Sequence, residues 1–186
     1  MTDNYDIVKI RNGNESEFRK LLEGNMDFIY VTAFRITADE DDARDIVQET
    51  FLKVWEKRGI LKKGSSVISY IRKIAVNKCY DLLRRRKFRF ADTRIDDGFL
   101  INEINADDRA DDELNNEEAA SILRSLASGL SPRQRIVFTM IELEELSHDE
   151  VAEIIGMNKS SIKSNLSHAR KEMERKVKEY FKMKKL

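Results

Sequence analysis

The sequence predicts an all-α protein of two small helical domains, joined by a flexible acidic linker. Three observations carry that expectation. Of 186 residues, 41% are hydrophobic and 37% charged, with seven Gly and a single Pro, a composition suited to long soluble helices. Residues 18 to 90 show helical periodicity only. Finally, a net charge of zero hides three blocks of alternating sign.

The blocks divide the chain. Residues 53–90 hold 13 Lys/Arg against Glu56 and Asp81, residues 91–118 hold 11 acids against Arg94 and Arg109, and residues 159–186 hold 10 basic and three acidic residues. The expected units are therefore 1–90, a linker at 91–118 with few large apolar residues, and 119–186. Two basic modules on an acidic strap is a layout suited to nucleic acid.

The elements follow in order. Phe18 to Phe34 reads as one or two helices interrupted near Gly24-Asn25. Asp39 to Arg58 begins with four acids, ends on Lys57-Arg58 and is followed by Gly59, charges that complement the helix dipole and a glycine expected to supply a left-handed cap. Its apolar face is Ile46, Val47, Phe51, Val54 and Trp55, leaving Asp45, Gln48, Glu49 and Lys53 on another. Gly59 to Ser66 reads as a loop. Val67 to about Arg86 returns to helix, with Lys73, Asn77, Asp81 and Arg84 along one side and the run Arg84 to Lys87 extending it.

Past the linker, Ala119 to Leu126 is amphipathic. Ser131-Pro132-Arg133-Gln134 starts a helix to about Leu143, and Ser147-His148-Asp149-Glu150 is a second capping box, before Val151 to Ile155 and a stop at Gly156. Asn158 caps a final helix with a stripe of Ile162, Leu166, Ala169, Met173 and Val177. A short helix, a Gly turn and a newly capped helix form a helix-turn-helix, whose second helix enters the major groove. Burying the stripe leaves Lys159, Ser160, Ser161, Lys163, Ser164, Ser167 and His168 outward, with Arg170 and Lys171 nearer the DNA backbone. The competing reading of the same pattern is a helical hairpin with a solvated basic face.

Residues Val151 to Arg170 closely resemble the region 4 helix-turn-helix of sigma factors, and Leu130 to Phe138 resembles the helix leading into it. Asp45-Ile-Val-Gln-Glu-Thr-Phe-Leu-Lys-Val-Trp55 is similar to sigma region 2.2. Ile71 to Lys78, with Asp81 and the Arg84 to Lys87 run, resembles regions 2.3 and 2.4. Region 2, an acidic linker and region 4, with no domain between, is the order of the extracytoplasmic-function (ECF) group of the sigma-70 family.

That resemblance implies a non-enzymatic subunit that binds core RNA polymerase, through the β′ clamp helices and the β flap, and carries it to promoter DNA. Asp45, Gln48, Glu49, Phe51 and Trp55 would meet polymerase. Lys62, Lys63, Lys73, Asn77, Lys78, Arg84, Arg85 and Arg86 would meet the −10 element, where melting needs a cationic groove and stacking surfaces such as Phe88, Phe90 or Tyr70. Tyr70 reads equally as core, whereas for the arginine run DNA contact is preferred over a solvated helix end. The family further implies an anti-sigma partner. Asn165 and His168 stand where many members carry Arg, and Tyr70 where they carry Trp, so a promoter consensus does not transfer.

Other classes find little support. Ser147-His148-Asp149 imitates a catalytic triad in order, but consecutive residues at a helix start point in different directions. Asp39 to Asp42 lacks Gly-containing metal-ligand spacing, and no cofactor or small-molecule substrate is implied. A serine recombinase would need an α/β catalytic domain upstream, and a dimeric operator-binding regulator would need a dimerisation or sensing domain. A lone Cys79, no apolar leader and no long apolar run point to a soluble protein of the reducing cytoplasm.

Overall fold

The computed structural model describes residues 5–62, 66–92 and 129–183. Among these, all regular structure is helical: α1 (Ile7–Arg11), α2 (Glu15–Glu23), α3 (Met26–Thr37), α4 (Glu40–Glu56), a 3-10 turn (Arg58–Ile60), α5 (Ser66–Asp92), α6 (Pro132–Phe138) running into a π-helical turn (Thr139–Leu143), α7 (His148–Ile155) and α8 (Lys159–Met183). Residues 93–118 of the expected linker and the expected helix at Ala119 to Leu126 lie outside the described residues.

Caps set most boundaries. The Asp6 carboxylate accepts the Val8 N–H at 2.8 Å and starts α1, which the sequence reading missed because five residues are too few for a period. Ile7 and Ile10 of α1 are nevertheless buried. The break expected near Gly24-Asn25 separates α2 from α3. Asp39 caps α4 by accepting the Asp42 N–H at 3.0 Å. Both expected capping boxes form, Ser131 with Gln134 and Ser147 with Glu150.

Gly59 does not supply the left-handed cap expected of it. Helix α4 ends at Lys57 with φ −96°, and the chain continues directly into the 3-10 turn, so no reversal is needed there. Left-handed caps stand instead at Ala38 (φ 55°), after α3, and at Gly156 (φ 67°), where α7 stops as expected, and Gly13 (φ 87°) and Glu145 (φ 56°) are also left-handed. Helix α5 continues to Asp92, beyond the expected Arg86, and two residues into the segment assigned to the linker.

Around α3, α4 and α5 the core consists of side chains such as Ile29, Ile36, Val54, Ile71 and Cys79, none more than 1% exposed. Each such aliphatic contributes about 1.5–3 kcal/mol by leaving water. Ile136, Val137, Met140, Val151, Ile154, Ile162 and Leu166 of the second unit join the same cluster, because α6 and α7 pack on α5. The stripe of α8 is buried at Ile162, Leu166 and Ala169, but Val177 is 37% exposed.

Candidate nucleic-acid and polymerase interfaces

The helix-turn-helix is built by its caps. The Ser147 hydroxyl accepts the Glu150 N–H at 3.3 Å while the Glu150 carboxylate accepts the Ser147 N–H at 2.9 Å, which fixes the start of α7. These bonds also hold the Glu150 carboxyl below its ordinary range. The Ser147 hydroxyl is thereby used as a cap and donates to Glu150 at 2.8 Å, not to His148 or Asp149. Gly156 turns the chain, and the Asn158 side chain accepts the Ser161 N–H at 2.8 Å to start α8.

Burial of Ile162, Leu166 and Ala169 orients the rest of α8. Lys159, Ser160, Lys163, Ser164, Ser167, His168, Arg170 and Lys171 are exposed, as the stripe requires. Ser161 is half-buried, its carbonyl accepting from Asn165 at 2.8 Å, so that Asn165 is turned onto its own helix. Two of the cations are already paired: Lys159 with Asp149 at 2.5 Å, and Arg170 with Glu142 through Nε at 2.9 Å and Nη2 at 2.6 Å. Lys163 and Lys171 have no ion pair among the described residues, and with Ser167, Leu166 and Arg170 they line a depression of about 310 Å³. His148 completes it from the first turn of α7. Sequence reasoning treated His148 only as part of a cap, although the first helix of a helix-turn-helix crosses the DNA backbone.

The basic side of α5 has the predicted register, with Lys73, Asn77, Asp81 and Arg84 exposed. Two neighbours are held by acidic residues of other elements and a third bonds to its own helix while staying exposed. Lys78 pairs with Glu49 of α4, Arg86 with Asp42 at 2.7 Å and Asp39 at 3.8 Å, and Arg85 donates to the Asp81 carbonyl at 3.3 Å. Burial pushes the Asp42 carboxyl up, and Arg86 draws it part of the way back. Arg86 is thus attached to the start of α4, whereas Arg84 and Arg85 face solvent. Lys62 is exposed, Tyr70 is half-buried against the core, and Lys63 and the side chains of Phe88 and Phe90 lie outside the described residues.

Asp45, Gln48 and Glu49 form an exposed strip on α4. Phe51 does not belong to an outer apolar surface: it is 4% exposed, edge-on to Phe18 with centroids 6.4 Å apart. Trp55 is half-buried, 4.9 Å from Phe18 on one side and 4.4 Å from the Arg58 guanidinium on the other. The exposed apolar residue is Leu52, at 56%, which continues the Asp45-Gln48-Glu49 strip by one turn. Its spacing from Gln48 and Glu49 was the available signal. Leu52, Met26, Leu22, Tyr30, Val47 and Trp55 line an open groove of about 770 Å³ between α2, α3 and α4, rimmed by Glu15, Arg19, Asp27, Arg44 and Gln48, with Phe51 in its floor.

The chain can present a short hydrogen-bonding helix face, a cationic helix face and an apolar groove with an acidic flank, all on helices fixed by packing. Residues 21–89 match the family model for sigma-70 region 2, and residues 112–173 the model for sigma-70, region 4. Among curated proteins, the RNA polymerase sigma factor YlaC of Bacillus subtilis is 25% identical over 90% of this chain and 94% of its own. The ECF RNA polymerase sigma factor SigE of Mycolicibacterium smegmatis is 22% identical over 83% of this chain and 59% of its own. Among solved structures, the sigma factor RpoE of Bartonella quintana, in complex with the anti-sigma factor NepR, superposes with a TM-score of 0.64 at 26% identity, covering 87% of this chain and 96% of that one.

Proposed function

The chain belongs to the sigma-70 family of RNA polymerase sigma factors, in its ECF group, and from that premise we propose how its surfaces divide the work of promoter-specific initiation. Sigma factors are initiation factors, not catalysts in their own right; the chemistry is that of polymerase. Residues 1–90 serve core docking and the −10 element, 119–186 the −35 element, and 91–118 tether the two, in the cytoplasm.

The observation that carries this division is that one chain holds both an outward recognition face on α8 and an exposed cationic face on α5, each fixed by packing of the opposite side. Ser164, Ser167 and His168 would meet base edges, and Lys163 and Lys171 phosphate, with His148 beside them. Lys73, Asn77, Arg84 and Arg85 are the −10 face, while Arg86 holds α5 to α4.

Polymerase docks on the α4 strip and the groove. Asp45, Gln48 and Glu49 supply polar contacts, and Leu52 with the Trp55 edge supplies apolar area, the combination of anchor and polar rim that specific interfaces use. The β flap takes the helix-turn-helix unit. By the example of the Bartonella protein, an anti-sigma factor is a third partner.

The test is co-elution of the purified chain with core RNA polymerase. Wild type is expected to co-elute; Asp45→Lys with Glu49→Lys is expected to lose core binding with unchanged helicity, since both positions are exposed. Failure of wild type to bind core, together with operator binding as a dimer, would contradict the proposal.

A further inference from the structure

A carboxylate stands beside the cations of the recognition helix. Glu142, on the π-helical turn that follows α6, accepts from both Nε and Nη2 of Arg170 through a single oxygen, Oε1, at 2.9 and 2.6 Å. Arg170 belongs to the recognition face: Lys163, Ser167 and Arg170 follow at i, i+4 and i+7 on one side of α8 and line one depression with His148 and Lys171. An acid at such a place subtracts from the attraction for phosphate. With side-chain exposures of 59% for Arg170 and 30% for Glu142, the pair also adds little to stability. Neither DNA charge nor stability accounts for it; its geometry does. The π-helical turn is a fixed support, because Thr139 and Met140 are 2% and 1% exposed and their carbonyls accept the Glu144 and Leu146 N–H at 3.1 and 3.0 Å. Burial of Ile162, Leu166 and Ala169 decides which face of α8 turns inward, but apolar burial has no direction of its own.

We propose that Arg170 is a positioning residue: held by Glu142, it fixes the pitch of α8 against α6, so that Ser164, Ser167 and His168 meet base edges in register, and it makes no phosphate contact of its own. The proposal rests on the −35 reading of α8. Packed helices cross with a scatter of about 15–20°, and a swing of that size moves a residue about 10 Å from the pivot by about 3 Å. Arg170 and Lys163 are separated by about that length of helix. A hydrogen bond to a base edge holds only within a window of about 0.5 Å, so a helix free to swing loses its base contacts while its charge stays near the duplex. A guanidinium suits the task better than an ammonium, since two N–H groups in a rigid plane, aimed at one oxygen, define a direction as well as a distance.

Equilibrium binding by the full chain with core RNA polymerase tests this. The probes are a promoter duplex, located from the start site of a transcript that wild type makes, and the same duplex with its −35 segment randomised. Glu142→Ala is expected to weaken promoter binding several-fold, with binding to the randomised duplex and the logarithmic salt slope unchanged. Glu142→Gln, which loses the charge and keeps the accepting oxygen, is expected to stay near wild type. Glu142→Ala with Arg170→Ala is expected to bind the promoter no more weakly than Arg170→Ala alone. Both positions are exposed, and equal helicity of the variants confirms that the fold is kept. If Glu142→Ala instead tightens binding to both duplexes and steepens the salt slope by about 1, Arg170 has been freed onto phosphate and the proposal is overturned. Unchanged promoter affinity, equal loss on both duplexes, or a loss in Glu142→Gln as large as that in Glu142→Ala overturns the proposal alone. Wild type that makes no transcript, or binds the two duplexes alike, overturns the −35 reading and the proposal with it.

Discussion

Lys78 of α5 is ion-paired with Glu49 of α4, which links a residue assigned to promoter DNA with one assigned to polymerase. The two faces of the first unit are therefore not electrostatically independent. With Glu49 60% exposed, the pair is a surface interaction, worth about 0–1 kcal/mol. Its importance lies in occupancy: while Glu49 holds Lys78, each is less available to its own partner.

A double-mutant cycle of Glu49→Ala and Lys78→Ala is expected to give a stability coupling below about 1 kcal/mol in denaturant unfolding. The same cycle on DNA affinity in the presence of core should be non-additive, because docking of Glu49 on polymerase releases Lys78. Additive DNA affinities would mean that the pair has no part in binding.

Lys163 and Arg170 differ although both are exposed cations of α8, because Arg170 is held by Glu142 and Lys163 has no ion pair among the described residues. Lys163→Ala is expected to weaken −35 binding and reduce the logarithmic salt slope by about 1. Arg170→Ala should change that slope less. Equal slopes for the Lys163 variant and wild type would remove Lys163 from the phosphate contacts.

Ser147→Ala removes one side of the α7 capping box and is expected to cost about 1 kcal/mol. Ile162→Ala, at a fully buried position, is expected to cost about 2–5 kcal/mol through lost transfer energy and the cavity left behind. Thermal or denaturant unfolding followed by far-UV circular dichroism measures both. A larger loss for Ser147→Ala than for Ile162→Ala would contradict this ranking of cap below core.

Much of this was legible because it depends on local rules. Both capping boxes, the Gly156 stop and the outward face of α8 follow from residue types at fixed offsets, with no knowledge of the partner helix. Phe51 and Leu52 show the limit. Adjacent apolar residues on α4 point to opposite surroundings, and which of them is buried depends on where Phe18 of α2 arrives. The same holds for Arg86, Lys78 and Arg170. Their charge suggested DNA, but their acidic partners lie on other elements, up to 47 residues away in the case of Asp39 and Arg86. Gly59 shows the converse, a residue capable of a left-handed cap at a junction where the chain does not reverse.

Burial raises the Glu144 carboxyl above its ordinary range, with Thr32, Arg72 and Arg35 offsetting part of the shift. The folded chain thus retains this proton at a pH where the unfolded chain has released it. The stabilisation is complete below the unfolded value and is lost as pH rises through the folded one. Glu144→Gln, neutral throughout, is expected to gain in unfolding midpoint relative to wild type as pH rises out of the ordinary carboxylate range and through the raised folded-state value. A difference that does not vary with pH would contradict the assignment.

In vitro transcription tests most directly that this chain directs polymerase to promoters. Core RNA polymerase, the purified chain and genomic promoter fragments should give transcripts from discrete start sites, absent without the chain and lost with Asp45→Lys and Glu49→Lys. Core that binds the chain but initiates at no specific site, or initiates equally well without it, would contradict the account.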